Sequence, residues 1–227
     1  MRAGTSWMPA RGEPAVTLLL RHGQTSMSVQ KRYAGRSDVP LTGIGMRQAV
    51  AAAKRLASAG IGVIVSSPLE RAVQTAQEVA AVTGVPVVTD DGFREADFGA
   101  WEGLTFAEVR ERWPSELTAW LADPTVAPPG GESFAEVSER VTAVMPRVLA
   151  DREGQTVLIV SHVTPIKMLV AAALLAPPPA LYRMHLDVAA LCEIDWYADG
   201  PAVLRSFNDT AHLRTVAADA DAGTWPS

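Results

Sequence analysis

The most informative stretch of this chain for its fold is Val16-Thr17-Leu18-Leu19-Leu20-Arg21-His22-Gly23-Gln24. Its first five residues form a largely apolar run that predicts a strand, and the run stops abruptly at an arginine and a histidine. Ligands of open α/β sheets bind beyond the carboxyl ends of the strands. The arginine and the histidine therefore lie where chemistry is expected.

Arg21, His22 and Gly23 together form a candidate phosphate site. The arginine offers a planar fork of donors that suits phosphate. Gly23 lacks a Cβ and would allow a ligand to approach the main chain closely. An imidazole beside such a fork is a candidate nucleophile toward phosphorus.

Strand and helix patterns alternate along the rest of the chain, which predicts a mainly parallel sheet with helices on both faces. The expected fold is a three-layer α/β/α sandwich. Predicted strands cover residues 15–20, 61–65, 85–89 and 156–160, and two closing strands, 189–197 and 203–207, flank a turn at Asp199-Gly200. Predicted helices cover 42–58, 69–83, 105–113, 115–122 and 133–150, with Pro146 expected to bend or split the last. Thr164 is expected to cap one more helix, and 24–41 to form a loop.

Length and composition favour one large domain. The chain has 227 residues, of which 48% are hydrophobic, and this suits a single α/β core. We expect the domain to cover residues 15–214, between a flexible N-terminal segment, 1–14, and a flexible tail, 215–227.

Charge and cysteine content narrow the class of partner. The formal net charge of −5 argues against broad nucleic-acid binding. The single cysteine, Cys192, excludes an internal disulfide and fits a cytoplasmic protein. No apolar stretch is long enough to span a bilayer, so a membrane partner is not expected. An apolar edge strand near 203–207 would permit a homodimer.

Arginine or histidine residues follow three of the predicted strands. These are Arg21 and His22, then Arg71 in the first turn of a helix, then His162. Singly, each has an ordinary explanation as a loop residue, a surface charge or a helix cap. Parallel strands bring their carboxyl ends to one edge, so two histidines and two arginines can converge there. Two arginine forks can neutralise a phosphate dianion.

A proton donor for a leaving oxygen is best supplied by Glu95, which follows the third predicted strand. Asp97 and Glu102 are its rivals, and either could be an ordinary loop carboxylate. Metal binding is only weakly indicated: His22, His162 and nearby acids could form a site, but the sequence has no close His/Asp spacing such as His-x-His.

The order of motifs resembles the histidine phosphatase superfamily, in the branch that contains cofactor-dependent phosphoglycerate mutase and α-ribazole phosphatase. The likeness covers about 16–214 and is greatest to α-ribazole phosphatase and to the acid phosphatase domain of actinobacterial bifunctional ribonuclease H/acid phosphatases; ribonuclease activity is not expected to transfer. The motifs are Leu20-Arg21-His22-Gly23-Gln24-Thr25, Pro40-Leu41-Thr42-Gly43-Ile44-Gly45, Ser66-Ser67-Pro68-Leu69-Glu70-Arg71-Ala72, Phe93 to Gly103, Pro129-Gly130-Gly131-Glu132-Ser133 and Val160-Ser161-His162.

The resemblance assigns a role to each of five residues. His22 is the nucleophile that becomes phosphorylated. Arg21, Arg71 and His162 hold the phosphoryl group, and Glu95 serves as general acid and then as base for water. Neither a metal nor another cofactor is implied.

The resemblance also marks a wider set of phosphate or substrate contacts and two departures. Ser28 stands where the family often has Asn, and Val163-Thr164 follow His162 where the family commonly has Gly. Arg36 is either a second anion contact or an exposed loop charge. The candidate contacts beyond the five are Gln24, Thr25, Ser28, Gly35, Arg36, Trp101, Val163 and Thr164.

Hydrolysis is favoured over mutase chemistry. Mutases of this branch usually carry a basic insertion after the glutamate, whereas this chain has no Lys or Arg between Glu95 and Arg110. A pocket lined by Trp101, Leu104 and Tyr33 would fit a less charged leaving group. We expect a phosphomonoesterase that releases inorganic phosphate from a small molecule. The alternatives are a phosphoglycerate mutase and a non-catalytic binding module.

Overall fold

The computed structural model describes residues 12–200, 202–214 and 216. The flexible segments predicted at 1–14 and 215–227 lie outside these residues, except for 12–14 and Val216. Val216 is buried.

The sheet has six strands in the order β3-β2-β4-β1-β5-β6. The four strands β1 to β4 pair in parallel, while β5 pairs antiparallel with both β1 and β6. The mostly parallel sheet is therefore confirmed. The strands are β1 (Ala15–Arg21), β2 (Ile61–Ser66), β3 (Val87–Thr89), β4 (Thr156–Ser161), β5 (Leu191–Trp196) and β6 (Ala202–Asp209).

Seven α-helices and four short 3₁₀ turns connect the described strands. The 3₁₀ turns cover Asp91–Phe93, Gly99–Trp101, Pro178–Arg183 and Ala211–Leu213. The helices are α1 (Ser26–Val29), α2 (Gly43–Leu56), α3 (Glu70–Thr83), α4 (Phe106–Arg112), α5 (Pro114–Ala122), α6 (Phe134–Leu149) and α7 (Val163–Ala173).

Alternation of side chains along the central strands divides the core into two layers. Leu18 and Leu20 of β1 pack with buried residues of α2 and α3. Leu19 packs on the opposite face with residues of α5, α6 and α7. The sheet is thus covered on both sides, as the three-layer prediction requires.

The helices differ from the sequence expectation at three places. Helix α7 begins at Val163 with His162 as its N-cap, so Thr164 is its second residue rather than its cap. Helix α1 lies inside the predicted loop, where a capping box of Thr25 and Ser28 starts it. Helix α6 runs through Pro146 without being split.

The register of the parallel strands places the three predicted strand ends side by side. Arg21 pairs with Ser161 across β1 and β4, and Ser66 pairs with Val160 across β2 and β4. The N–H of His22 donates to the carbonyl of Ser161 at 3.0 Å, which extends the ladder past the strand end. The convergence on which the sequence argument depended is therefore present.

Across the described residues, no helix combines the length and the apolar character that a membrane crossing needs.

Candidate active site

The rings of His22 and His162 lie next to each other, with centroids 5.1 Å apart. Both side chains are buried. Nδ1 of His22 lies 2.7 Å from the carbonyl oxygen of Gly23. Because a carbonyl only accepts hydrogen bonds, Nδ1 carries the proton of the neutral ring, and Nε2 keeps its lone pair. This tautomer leaves Nε2 available as a nucleophile.

Burial and neighbouring charge keep both rings neutral. Desolvation lowers the pKa of His22 well below its usual value of 6.5, and the positive charges of Arg21 and Arg71 lower this pKa further. The pKa of His162 is lowered well below 6.5 by the same causes, with burial again the largest. A neutral imidazole is the form that attacks phosphorus.

His162 is oriented by a serine. Its Nε2 lies 2.7 Å from Oγ of Ser67, and that oxygen also accepts from the N–H of Leu69 at 3.3 Å. The Ser67 hydroxyl hydrogen has no other acceptor among the described residues, so it donates to Nε2. The proton of the neutral ring is then on Nδ1, a buried atom without a partner.

The two arginines are held by backbone carbonyls. Nη1 of Arg21 donates to the carbonyl of Leu186 at 2.6 Å. Burial lowers the pKa of Arg21 to about 10, which still leaves it charged at neutral pH. Arg71 is fully buried and donates to the carbonyls of Ala34, Gly35 and Ser37 at 2.8–3.0 Å. No carboxylate pairs with either guanidinium in the described residues.

Three nitrogens without a hydrogen-bond partner make this site suitable for an anion. Of the nine buried side-chain polar atoms without a partner in the described residues, three belong to it: Nε of Arg21, Nε of Arg71 and Nδ1 of His162. A buried donor without an acceptor costs about 1–3 kcal/mol. An anion with several oxygens would satisfy such donors.

Among the three candidate acids, Glu95 occupies the site. It is buried, and its Oε1 accepts from the N–H of Ala96 at 2.8 Å and from the N–H of Thr164 at 3.2 Å. Asp97 instead accepts from Gly99 and pairs with Arg36.

Glu102, the other rival, holds a loop together. Its carboxylate accepts from the N–H groups of Gly35, Arg36 and Ser37 and from the Ser37 hydroxyl. These bonds fix the segment whose carbonyls orient Arg71. Its described contacts therefore support the loop rather than the cavity.

A cavity of about 220 Å³ opens over these groups. It contains His22, Arg21 and Glu95, whereas the fully buried Arg71 and His162 are not in its lining. Cavities of about 580, 500 and 460 Å³ lie elsewhere and include none of the five predicted catalytic residues. The lining consists of Arg21, His22, Thr25, Ser28, Arg32, Tyr33, Ala34, Glu95, Phe98, Val163 and Thr164.

Four of the predicted contact residues lie outside this cavity. The amide oxygen of Gln24 accepts from the hydroxyl of Thr42. The N–H of Gly35 donates to Glu102. Arg36 is exposed and paired with Asp97 at 2.8 Å. Trp101 is fully buried in an aromatic cluster with Tyr33 and Trp120, because the 3₁₀ turn beginning at Gly99 directs it into the core.

Thr25, Ser28, Val163 and Thr164 do line the cavity. The Ser28 hydroxyl is already engaged, since it donates to the carbonyl of Thr25 and accepts the N–H of Thr25. Ser28 therefore supports α1 and is a weak candidate for a phosphate donor.

Packing requires a glycine at position 23. A Cβ at this position would lie 2.5 Å from the carbonyl oxygen of Gly45 in α2. The glycine thus allows helix α2 to approach the strand end that carries His22.

Three lining residues were not found from the sequence: Arg32, Ala34 and Phe98. The only available signal was the pairing of an arginine with an aromatic residue at Arg32-Tyr33, which is weak by itself. No group of three or more His, Cys, Asp or Glu side chains arranged to hold a metal ion occurs in the part of the chain that the structure describes.

Comparison with known proteins gives a consistent assignment. A family description of the histidine phosphatase superfamily, branch 1, matches residues 17–210. The bifunctional protein Rv2228c of Mycobacterium tuberculosis is 52% identical over 208 residues, which are 91% of this chain and 57% of that protein. A Proteus mirabilis protein named probable phosphoglycerate mutase GpmB is 36% identical, over 88% of this chain and 96% of its own length.

Solved structures agree. Mycobacterial glucosyl-3-phosphoglycerate phosphatase Rv2419c, in complex with VO3, has a TM-score of 0.80 and 33% identity, over 86% of this chain and all of its own. An Escherichia coli protein provisionally assigned as an α-ribazole-5′-P phosphatase has a TM-score of 0.79 and 29% identity, over 86% of this chain and 97% of its own.

The share of each relative's length that this chain spans limits what can be inferred from the match. This chain spans about 57% of the length of the mycobacterial relative, so what the rest of that protein does is not transferred. The family match covers nearly all of the described residues, and the structural neighbours include phosphatases. The chain therefore belongs to branch 1 of the histidine phosphatase superfamily.

Proposed function

We propose that this protein hydrolyses phosphate monoesters of small metabolites through a phosphohistidine formed on His22. The observation that carries the proposal is the cavity in which His22, Arg21 and Glu95 meet, with Nδ1 of His22 bonded to a carbonyl. This hydrogen bond supports Nε2 as the nucleophilic atom, because it leaves the lone pair of the neutral ring there. The other members supply a cation for the phosphoryl oxygens and a carboxyl group for proton transfer.

In the first half-reaction, Nε2 of His22 attacks phosphorus while the bond from phosphorus to the ester oxygen breaks. Arg21, Arg71 and Nδ1 of His162 donate to the phosphoryl oxygens, and protonated Glu95 gives its proton to the leaving alcohol. In the second, the Glu95 carboxylate takes a proton from water, which attacks phosphorus. The nitrogen–phosphorus bond breaks, and inorganic phosphate leaves.

The roles of Arg71 and His162 in this scheme rest on their unpartnered nitrogens. The other nitrogens of each side chain are bonded to protein groups, which leaves the unpartnered nitrogen of each for the phosphoryl oxygens. Such fixed donors are preorganised and need no rearrangement as charge develops on the phosphoryl oxygens. A metal has no part in the scheme, because these residues supply the nucleophile, the acid and the anion donors.

The experiment combines turnover with trapping. The protein is assayed with p-nitrophenyl phosphate in EDTA, and the quenched enzyme is examined by ³¹P NMR at alkaline pH, where phosphohistidine persists. We expect EDTA-resistant hydrolysis and a phosphohistidine signal in the wild type, and neither in His22→Ala. Retained hydrolysis by His22→Ala contradicts the mechanism.

The mutase alternative is tested with the same preparation. Interconversion of phosphoglycerates that depends on a bisphosphoglycerate, at rates far above hydrolysis, would favour it. We expect hydrolysis to be faster, because no Lys or Arg occurs between Glu95 and Arg110 to bind a second phosphate.

A further inference from the structure

Arg32 places a second cation in the wall of the active-site cavity. The cavity that contains His22 and Glu95 is also lined by Arg32, with Tyr33 beside it. The Arg32 side chain is one-third exposed, at 32%. A substrate bound through its phosphate at His22 would therefore present its leaving group to a wall that carries a guanidinium.

The guanidinium of Arg32 is fixed in place. Nε donates to Oε1 of Gln30 at 2.9 Å, and Nη1 donates to the carbonyl of Gly103 at 2.7 Å and to Oε2 of Glu108 at 3.0 Å. The backbone of Arg32 forms a bridge with Thr105. A fixed fork loses little conformational entropy when it binds a ligand.

One nitrogen of this guanidinium remains free. Nη2 of Arg32 makes no hydrogen bond in the part of the chain that the structure describes, so its two N–H groups are available. The nearby alternative, Arg36, is 71% exposed and is paired with Asp97. Of the two loop arginines, Arg32 is thus the one positioned to meet a substrate.

Resting on the proposed function, we infer that Arg32 selects phosphate monoesters whose leaving group carries a carboxylate. The free Nη2 can donate a charge-assisted hydrogen bond to a carboxylate oxygen. The size of the cavity, about 220 Å³, suits a small leaving group. Glu108 already offsets part of the charge of Arg32, which favours a monoanionic carboxylate over a second phosphate dianion.

Glu108 provides a way to tune the site without removing Arg32. Its carboxylate caps α4 by accepting the N–H of Thr105 at 2.7 Å, and Gln is equally accepted at this position of a capping box. Glu108→Gln therefore keeps the cap and removes the charge that competes with a substrate carboxylate.

The test compares 3-phosphoglycerate with glycerol 3-phosphate, two esters of similar size that differ by a carboxylate. We expect the wild type to have the higher kcat/KM for 3-phosphoglycerate. Arg32→Gln should reduce this preference by about 10- to 100-fold, the range for a charged hydrogen bond, and change kcat/KM for glycerol 3-phosphate by less than about threefold. Arg32→Lys should restore part of the preference, and Glu108→Gln should increase it. The matched control is Arg110→Gln on the exposed face of α4, which should leave both substrates unaffected.

Several outcomes would overturn the inference: equal losses for both substrates in Arg32→Gln, no wild-type preference, or no response to Glu108→Gln. If Arg32→Gln lowered kcat/KM more for glycerol 1,3-bisphosphate than for 3-phosphoglycerate, the group that Arg32 binds would be a second phosphate and not a carboxylate. Hydrolysis of p-nitrophenyl phosphate separates this failure from that of the proposed function. If hydrolysis depends on His22 while Arg32→Gln leaves the preference intact, only the inference is wrong.

Discussion

Oγ of Ser67 lies 2.7 Å from Nε2 of His162, and this hydrogen bond determines which nitrogen of His162 carries a proton. Ser67 follows β2 and His162 follows β4, so the adjacent parallel strands bring the pair together. The bond leaves the unpartnered Nδ1 as a donor toward the proposed phosphate position. Ser67 is therefore a positioning residue that acts through His162.

Replacement of Ser67 should weaken phosphate binding. Loss of one such hydrogen bond costs about 0.5–1.5 kcal/mol, and we expect Ser67→Ala to raise the inhibition constant of inorganic phosphate by about 3- to 10-fold. The control is Ser66→Ala, because the Ser66 hydroxyl donates to the carbonyl of Ser67 and not to His162. Equal effects of the two variants would indicate a structural role only.

Replacement of Glu95 should slow turnover more than binding. We expect Glu95→Gln to lower kcat by about 10²- to 10⁴-fold, the range for general acid–base catalysis. Phosphate inhibition should change little. The loss should be larger for an alkyl phosphate than for p-nitrophenyl phosphate, since an alkoxide needs a proton more than a nitrophenolate does. Asp97→Asn serves as the comparison, and a similar loss in that variant would contradict the assignment of Glu95.

The buried histidines should make stability fall in mild acid. Burial lowers the pKa of His22, His162 and His212 in the folded state. Below pH 6.5 the unfolded chain takes up protons that the folded chain does not. The contribution of these histidines to the free energy of unfolding is therefore fully present above pH 6.5 and declines as the pH falls below that value. Each histidine can contribute a slope of at most about 1.4 kcal/mol per pH unit.

This decline is measured by urea unfolding at pH 7, 6 and 5. His22→Gln should reduce the slope of the unfolding free energy against pH, because it removes one of the titrating groups. His185→Gln is the control, since that ring is 80% exposed. A slope that is unchanged in His22→Gln would show that His22 is protonated equally in both states.

A Cβ at Gly23 should destabilise the protein through backbone contact. It would lie 2.5 Å from the carbonyl oxygen of Gly45, and overpacking of this kind costs about 1–3 kcal/mol. We therefore expect Gly23→Ala to lower the free energy of unfolding by that amount. The control is Gly43→Ala at the start of helix α2, where a Cβ would meet open space. This variant should be neutral or slightly stabilising. Thermal or urea unfolding of the two variants provides the comparison.

The order of strands and motifs in the sequence was enough to predict that the two histidines converge. It was not enough to predict which residues line the cavity. His22 and His162 each follow an apolar strand, and parallel pairing fixes their proximity. Phe98 and Trp101 are both aromatic and lie three residues apart in one loop, and only the 3₁₀ turn between them determines that Phe98 reaches the cavity.

Local backbone geometry also explains the choice between two arginines. Tyr33 pairs through its backbone with Gly103 and Leu104, which holds Arg32 against the cavity. The loop at Arg36 instead turns outward and is secured by Glu102. Neither set of contacts has a signature in residue spacing, because the partners lie 71 and 66 residues away along the chain.

Binding of a dianion should take up a proton at His162. The positive charges of Arg21 and Arg71 help to keep the pKa of His162 low in the free protein, and a bound dianion opposes those charges. The pKa of His162 should then rise, so that binding near pH 6.5 is accompanied by net proton uptake. Sulfate is the suitable probe, because it stays dianionic throughout this range and contributes no proton of its own.

Calorimetric titration with sulfate in buffers of different ionisation enthalpy measures this uptake. The observed enthalpy should vary linearly with the buffer enthalpy, with a slope between zero and about one proton per site. His162→Gln, which cannot be protonated, should show weaker binding and a slope nearer to zero. A slope of zero in the wild type would mean that His162 stays neutral when the anion is bound. The phosphoryl oxygens would then be held by the neutral Nδ1–H of His162 together with the two arginines.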